Sequence, residues 1–299
     1  MKMKQSNPNE PSGHKPSHIT LGRIGLYVFL LLSAAFFLLP LFVMVVTSLK
    51  TMPEIRQGDI FALPASLNFD AWVRAWSAAC TGLDCNGVSA GFLNSVKIAV
   101  PGVVLSISVA AWTGYALCFW RAKGSDIIFA ILLVGAFIPF QVFIYPLVRI
   151  FSTLGLFGTL PGIITVHVVF GLPVLTLLFR NFFVGLPYDL FKASRIDGAN
   201  FYQIFRHIML PMATPIIIVA IILQVTGIWN DFLFGVVFAG RQNLPMTVQL
   251  NNIVNSTQGV KEYNVNMAAT IITAIVPLLV YFFSGRWFVR GIAAGAVKG

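Results

Sequence analysis

The chain has 299 residues, of which 57% are hydrophobic and only 10% charged, and its mean hydropathy is +0.83. A soluble globular protein carries about 25% charged residues, so this composition excludes one, and continuous apolar runs without alternation exclude a transmembrane β-barrel. The net charge of +10 comes with no basic patch interleaved with exposed aromatics, so it implies no nucleic-acid partner and fits the excess of cations on the inner side of a membrane.

Residues 1–20 are polar, contain Pro8, Pro11 and Pro16, and read as a disordered tail. They do not read as a cleavable signal peptide, because the next apolar run is too long and lacks a small-residue cleavage site. A first span is predicted from about Ile24 to Leu49, kinked at Pro40. Lys50 to about Ala90 is polar and aromatic. Trp72 and Trp76 lie one helical turn apart there, which suits either an amphipathic interfacial helix or the packing of a small loop. Cys80 and Cys85 share this loop, and a disulfide between them requires that the loop face an oxidising compartment. No His or further Cys lies nearby to make a metal site.

The second span is predicted from about Phe92 to Trp120, followed by Arg121 and Lys123, with Cys118 as a small buried hydrophobe. The third runs from about Ile127 to Phe151, with Gln141 between Pro139 and Pro146, where a side-chain amide either satisfies carbonyls freed by proline or lines a transport path. The fourth covers about Gly162 to Phe183 and contains His167. The fifth runs from about Pro215 to Ala239, and the sixth from about Met267 to Phe283 after a polar stretch from Gly240 to Asn264. Within the fifth lie Trp229, Asn230 and Asp231; a carboxylate at mid-membrane costs about 2.5–3.5 kcal/mol, so Asp231 faces the bundle interior or an interface. These three residues either line a path for a hydroxylated solute, with indole stacking and polar groups bonding hydroxyls, or hold spans together. No second buried acid accompanies His167, which disfavours proton coupling.

Between the fourth and fifth spans, Leu186–Pro211 is a long polar segment. Pro187 suits a helix start and Asp189 complements the helix dipole there. Gly198 after Asp197 suits a left-handed C-cap, Asn200 with Gln203 reads as a capping box, and Pro211 is the expected stop of the second helix. The segment therefore reads as helix, tight turn, helix. It resembles the EAA loop of ATP-binding-cassette importer permeases: Lys192-Ala193-Ser194, then Gly198, Ile208 and Leu210-Pro211 stand at the matching positions, with Lys192 replacing the usual Glu.

Further matches are similar to the MalG-like branch of carbohydrate importer permeases: Asn94-Ser95, Tyr115-Ala116-Leu117 before Arg121, Ile138-Pro139-Phe140-Gln141, Leu154-Gly155-Leu156, Trp229-Asn230-Asp231-Phe232, and Phe288-Val289-Arg290-Gly291 through Gly295-Ala296-Val297-Lys298-Gly299. The resemblance implies an all-α membrane domain over residues 21–299 with six transmembrane helices in the MalG/MetI-like permease fold. It also implies a cytoplasmic coupling helix in the 186–211 loop, whose contacts to an ATPase come from Lys192, Ala193, Ser194, Asp197, Gly198, Ile208, Leu210 and Pro211. Implied partners are a homologous second permease, two ATP-binding subunits that hold ATP and Mg, an extracytoplasmic sugar-binding protein, and membrane lipid. The Cys80–Cys85 loop is similar to that of glucose or mannose permeases.

Six spans put both termini on one side. The tail, the 121–126 turn, the 180–211 loop and the C-terminus gather Lys2, Lys4, Lys15, Arg23, Arg121, Lys123, Arg180, Lys192, Arg195, Arg206, Arg286, Arg290 and Lys298, whereas cations on the other side are largely offset by acids. The cation-rich side, which carries both termini and the 180–211 loop, is expected to be cytoplasmic, in the inner membrane of a bacterial cell. No GxxxxGK[ST] loop, Ser/His/Asp constellation or zinc spacing appears, so no catalytic residue, metal or cofactor of the chain's own is expected. The alternative function is an ion-coupled secondary sugar transporter.

Overall fold

The computed structural model describes residues 20–82, 84–120, 123–256 and 261–296, the last eleven of these by their helical backbone alone. The predicted tail up to residue 19, Arg121 and the final Val297-Lys298-Gly299 lie outside the described residues. The described residues are helical throughout their regular structure. Helix α1 spans Leu21–Ser48 and is followed by α2, Met52–Arg56, and α3, Asp70–Ser77. Then come α4, Ser89–Phe119, and α5, Ser125–Phe137. A 3₁₀ turn at Phe140–Phe143 leads into α6, Ile144–Thr153, then α7, Leu160–Val184, and α8, Tyr188–Ile196. Helix α9, Phe201–Ile204, runs through a π-helical turn at Phe205–Met209 into α10, Leu210–Met212. Helices α11, Thr214–Asn230, α12, Leu233–Phe238, α13, Met246–Val254, and α14, Tyr263–Ala296, complete the order.

Four of these helices (α1, α4, α7 and α14) are long and apolar enough to cross a membrane, and two bent pairs raise the number to six if each pair is one span. The third span was expected to be continuous; it bends by 99° between α5 and the 3₁₀ turn. Ile138 is extended there (φ −74°, ψ 127°) because Pro139 disfavours helical backbone in the residue before it. The second bend, of 76°, separates α10 from α11. Pro211 was expected to stop the helix, yet the helix passes through it to Met212. The turn before it widens into the π-helix, which relieves the clash a proline makes with the carbonyl four residues back. The break falls instead at Ala213, with Pro215 in the first turn of α11. The fifth span was also expected to be continuous to Ala239; it breaks at Asp231, which is extended (φ −65°, ψ 132°).

The centre of the bundle is the pair α4 and α7. Gly102, Ser106, Ala110 and Gly114 recur every four residues on α4, so small side chains line one stripe, and such stripes let helix backbones approach closely in a membrane. A Cβ at Gly114 would lie 2.7 Å from Phe179 Cβ and 2.8 Å from the Arg180 backbone nitrogen. One apolar cluster sits at the α8 end of this pair, built on Tyr115, Phe119, Phe179, Phe183, Phe191 and Phe205. A second sits at the other end of α4, where Val88, Trp229, Met246 and Ala268 meet Ala71 and Ala75 of α3. The third, between them, includes Ile98, Phe151, Ile163, Ile228 and Phe238.

The loops at the α3 end are tied by polar contacts. Glu54 accepts from Thr51 N at 2.7 Å and Ala65 N at 2.9 Å, and these backbone donors hold its carboxyl below the usual carboxylate range. Buried Lys50 donates to the Asp59 carbonyl at 2.9 Å, and its own carbonyl accepts from Asn264 Nδ2 at 3.1 Å. Arg74 clasps Glu262 with two bonds of 2.5 Å. Cys80 and Cys85 form a disulfide, and Asp84 within that loop meets Arg241 at 3.4 Å. Trp72 packs against the cluster at this end, and Trp76 meets Phe92 edge-on at 5.6 Å, so α3 is a packed cap. Helix α1 by contrast buries only Val46, Thr47 and Ser48.

Gly114→Val is expected to destabilise the protein by about 1–3 kcal/mol through overpacking, since the neighbour is backbone as well as side chain. Thermal unfolding of the detergent-solubilised protein measures it; an unchanged midpoint would show that α4 and α7 separate freely.

Candidate functional site

Two regions carry the residues singled out by sequence. The first is the elbow α8–α10. Pro187 caps α8, and the helix ends where Gly198 adopts φ +82°, with Ala199 N donating to the Ser194 carbonyl at 3.0 Å. Asn200 and Gln203 then exchange side-chain to backbone bonds of 2.9 and 2.8 Å, forming a capping box. The inner face is anchored. Phe191 stacks on Phe119 at 4.7 Å, Trp112 stacks on Phe205 at 4.0 Å, and the Tyr115 hydroxyl donates to the Phe201 carbonyl at 3.0 Å. Ser194 is buried and donates to the Leu190 carbonyl, while Ile208 and Leu210 are half-buried.

The outer face is open. Lys192, Ala193, Arg195, Asp197, Gly198 and Pro211 are exposed, and Ile196 is 86% exposed at the tip. Lys192 Nζ lies 3.6 Å from Asp189 Oδ1, both side chains being largely solvated, so the pair adds little stability. The elbow is thus a rigid body with one face bonded to the spans and an apolar tip flanked by cations.

The second region is a cavity of about 300 Å³ lined by Phe140, His167, Phe170, Gly171, Gln224, Gly227, Ile228, Asn230, Asp231 and Phe234. Asp231 sits at the break after α11. Its carboxylate accepts from Phe234 N at 3.2 Å and Gly235 N at 2.9 Å, which caps α12, and its carbonyl accepts from Thr247 Oγ1 at 2.5 Å. Gln224 Nε2 donates to Ser106 Oγ at 3.0 Å and to the His167 carbonyl at 3.3 Å, linking α4, α7 and α11. His167 Nε2 lies 3.8 Å from Asp231 Oδ2. His167 is thus set beside Asp231, an acid from the break after α11, a pairing that spacing along one span does not reveal.

The predicted path residues are not brought together as a group. Asn230 and Asp231 line the cavity. Trp229 instead is 2% exposed, donates from Nε1 to the Thr273 carbonyl at 3.0 Å and meets Phe92 at 5.5 Å, so its indole is a packing element between α11 and α14. Neighbours on a helix point about 100° apart, which separates Trp229 from the cavity face. Gln141 is exposed on the 3₁₀ turn and is not part of the lining; Phe140 beside it is. Sequence reasoning passed over Gln224, although this lone amide in an apolar run stands seven residues before Asp231, two turns along the same face. Among the described residues no group of three or more His, Cys, Asp or Glu could hold a metal ion.

Bent apolar helices, an open pocket that carries Asn230 and Asp231 among apolar residues, and a braced helical elbow at one end define a multi-pass membrane protein. Residues 102–294 match the family model described as binding-protein-dependent transport system inner membrane component. The chain is 36% identical over 218 residues to the osmoprotective compounds uptake permease protein GgtD of Synechocystis sp., covering 72% of each chain. It is 35% identical over 243 residues to the alpha-glucoside transport system permease protein AglG of Rhizobium meliloti, covering 79% of this chain and 62% of that one. Among solved structures, a chain of a bacterial ABC transporter involved in the import of the acidic polysaccharide alginate superposes with a TM-score of 0.74 at 22% identity, over 91% of this chain and 99% of that one. The chain belongs to the family of binding-protein-dependent transport system inner membrane components. As a member it is a membrane permease subunit of an ABC transporter and not an enzyme.

Asp231→Ala is expected to cost about 0.5–2 kcal/mol, the value of a lost helix cap, and Asp231→Asn much less, because an amide oxygen still accepts from the same donors. Thermal unfolding of the two variants checks this; equal losses would mean that the charge, not the cap, stabilises the break.

Proposed function

We propose that this chain carries a carbohydrate into the cytoplasm as one membrane subunit of an importer driven by separate ATP-binding subunits. The observation that carries the reading is the elbow: its exposed tip is the natural contact for a moving partner, and its inner face is bonded to α4 and packed into the apolar cluster that α4 shares with α7. The carbohydrate class is supported by the α-glucoside permease among the relatives and by the cavity chemistry. In this reading residues 21–299 form the transmembrane domain, with both termini cytoplasmic. A homologous permease completes the pathway, two ATPase subunits holding ATP and Mg dock on α8–α10, and an extracytoplasmic binding protein delivers the sugar.

The coupling contacts would come from Lys192, Ala193, Asp197 and Gly198 on the open face, with Ile196 as the apolar anchor. Ser194, Ile208, Leu210 and Pro211 act by shaping the elbow. Closure of the ATPase pair would displace the elbow as a unit, and its aromatic bonds to Trp112, Tyr115 and Phe119 would pass that displacement to the spans. A loaded binding protein shifts this equilibrium only by its differential affinity for the two states.

Uptake of labelled sugars by cells with the chain deleted and restored tests the function. Loss of uptake of a sugar on deletion, with the restored uptake surviving collapse of the proton gradient while ATP is maintained, is the expected result; restored uptake that follows the gradient would instead favour an ion-coupled transporter.

Gly198→Val tests the coupling step. Within the chain a Cβ there meets nothing within 4 Å, so the fold feels only backbone strain at φ +82°, about 1–2 kcal/mol, while in the assembled transporter the new side chain also enters the docking face. Assembled transporters carrying it are expected to hydrolyse ATP with little uptake. Coupled uptake at the wild-type ratio would remove the elbow from the mechanism.

A further inference from the structure

The cavity beside Asp231 has a chemistry more specific than a passage for sugars in general. Asn230 is exposed at its rim, next to the Asp231 carboxylate, on helices that are otherwise apolar. A carboxylate facing hydrocarbon costs about 2.5–3.5 kcal/mol, so this face opens onto water or a polar solute rather than lipid. Beside the polar rim the wall is aromatic. Phe170 stacks on Phe234 at 5.0 Å, and Phe140 stands 5.1 Å from Phe234.

Phenyl groups beside an amide and a carboxylate match a molecule that has a C–H face and a rim of hydroxyls. The carboxylate accepts hydroxyl hydrogens, and the Asn230 amide both accepts and donates. The pocket is open on one side and holds about 300 Å³, at the small end of ligand sites, so one ring fits within it and any further rings would lie outside. The charge is equally specific: the residues lining the cavity include a carboxylate and no Lys or Arg. An anionic ring would meet repulsion and no compensating cation.

We propose that this cavity is a subsite for a single ring of a neutral sugar and that it disfavours uronic acids and sugar phosphates. The proposal rests on the carbohydrate-import reading and adds to it the substrate's charge and the residues that select it. Phe140 and Phe170 receive the ring face, with buried Phe234 backing them, Asn230 and Asp231 bond its hydroxyls, and the Asp231 charge excludes anions.

The test uses Asn230→Cys in the full transporter assembled in membrane vesicles, with wild type as the background for the chain's own cysteines. A water-soluble cationic methanethiosulfonate is expected to label the new thiol about tenfold faster than an anionic one, the scale on which a charged cleft concentrates counter-ions. Adding Asp231→Asn should bring the two rates together. A neutral sugar carried by the wild type should slow labelling severalfold, and its uronic-acid counterpart should not.

Gly227→Cys, where a new Cβ also meets nothing within 4 Å, serves if the first variant fails to assemble. An unlabelled thiol would mean that lipid or another subunit covers the face, and equal rates would remove the charge selection. Labelling that no transported sugar slows would remove the subsite. Either of the last two results leaves the importer intact if wild-type vesicles still take up sugar on ATP; failure of that uptake alone would overturn the import reading.

Discussion

The close contact of α4 with α7 is the constraint on which the other features depend. Gly114 against Phe179 leaves no room for a side chain, so the two backbones are held at near-minimum separation. That spacing lets Tyr115, one residue on, reach the Phe201 carbonyl, and lets Phe119 stack on Phe191. Two turns back along the same stripe, Ser106 accepts from Gln224, which in turn bonds the His167 carbonyl. One small-residue stripe thus serves both ends of the molecule: it braces the elbow at one end and sets the polar wall of the cavity nearer the other. In a membrane, where apolar helices gain little by leaving lipid for one another, such close packing is the main source of a fixed arrangement.

The elbow was the most legible part of the sequence because its determinants are local. Pro187, Gly198, and Asn200 with Gln203 each act within four residues of themselves, and the observed caps fall where those residues predict. The spans were legible as apolar runs, but their shapes were not. Ile138 before Pro139 gives a right-angle bend, whereas Pro40, Pro101, Pro173 and Pro277 lie inside continuous helices. The difference is one of context: neighbouring helices decide whether the backbone groups freed by proline are repaired in place or turned elsewhere. Pro211 misleads for the same reason, since a π-turn absorbs it.

The cavity was only half legible. Asp231 stands out because a carboxylate in an apolar run is costly, and Asn230 stands beside it. The partners that give the site its character come from far along the chain: His167 from α7, Phe140 from the turn before α6. No periodicity within one helix announces them. Trp229 shows the converse, since adjacency to Asp231 along the chain turned out to mean an opposite role, packing rather than lining.

Helix α1 has a consequence for how the protein is made. Its membrane-length stretch buries nothing within the chain, and its settled neighbours within the chain lie at its last turn, against α14 and through the bond from Asn264 to the Lys50 carbonyl. The first span must therefore wait in the bilayer for the last. At about 5–20 residues per second, the roughly 210 residues between these partners take about 10–40 s to emerge from a ribosome. Through that interval α1 lacks its α14 neighbour, and the α3 cap, already against Val88, Trp229 and Met246, lacks Val265, Ala268 and Ala269. A ribosome that stalls before α14 leaves a first span with nothing to close on, so incomplete chains differ from finished ones in a feature that membrane proteolysis can recognise.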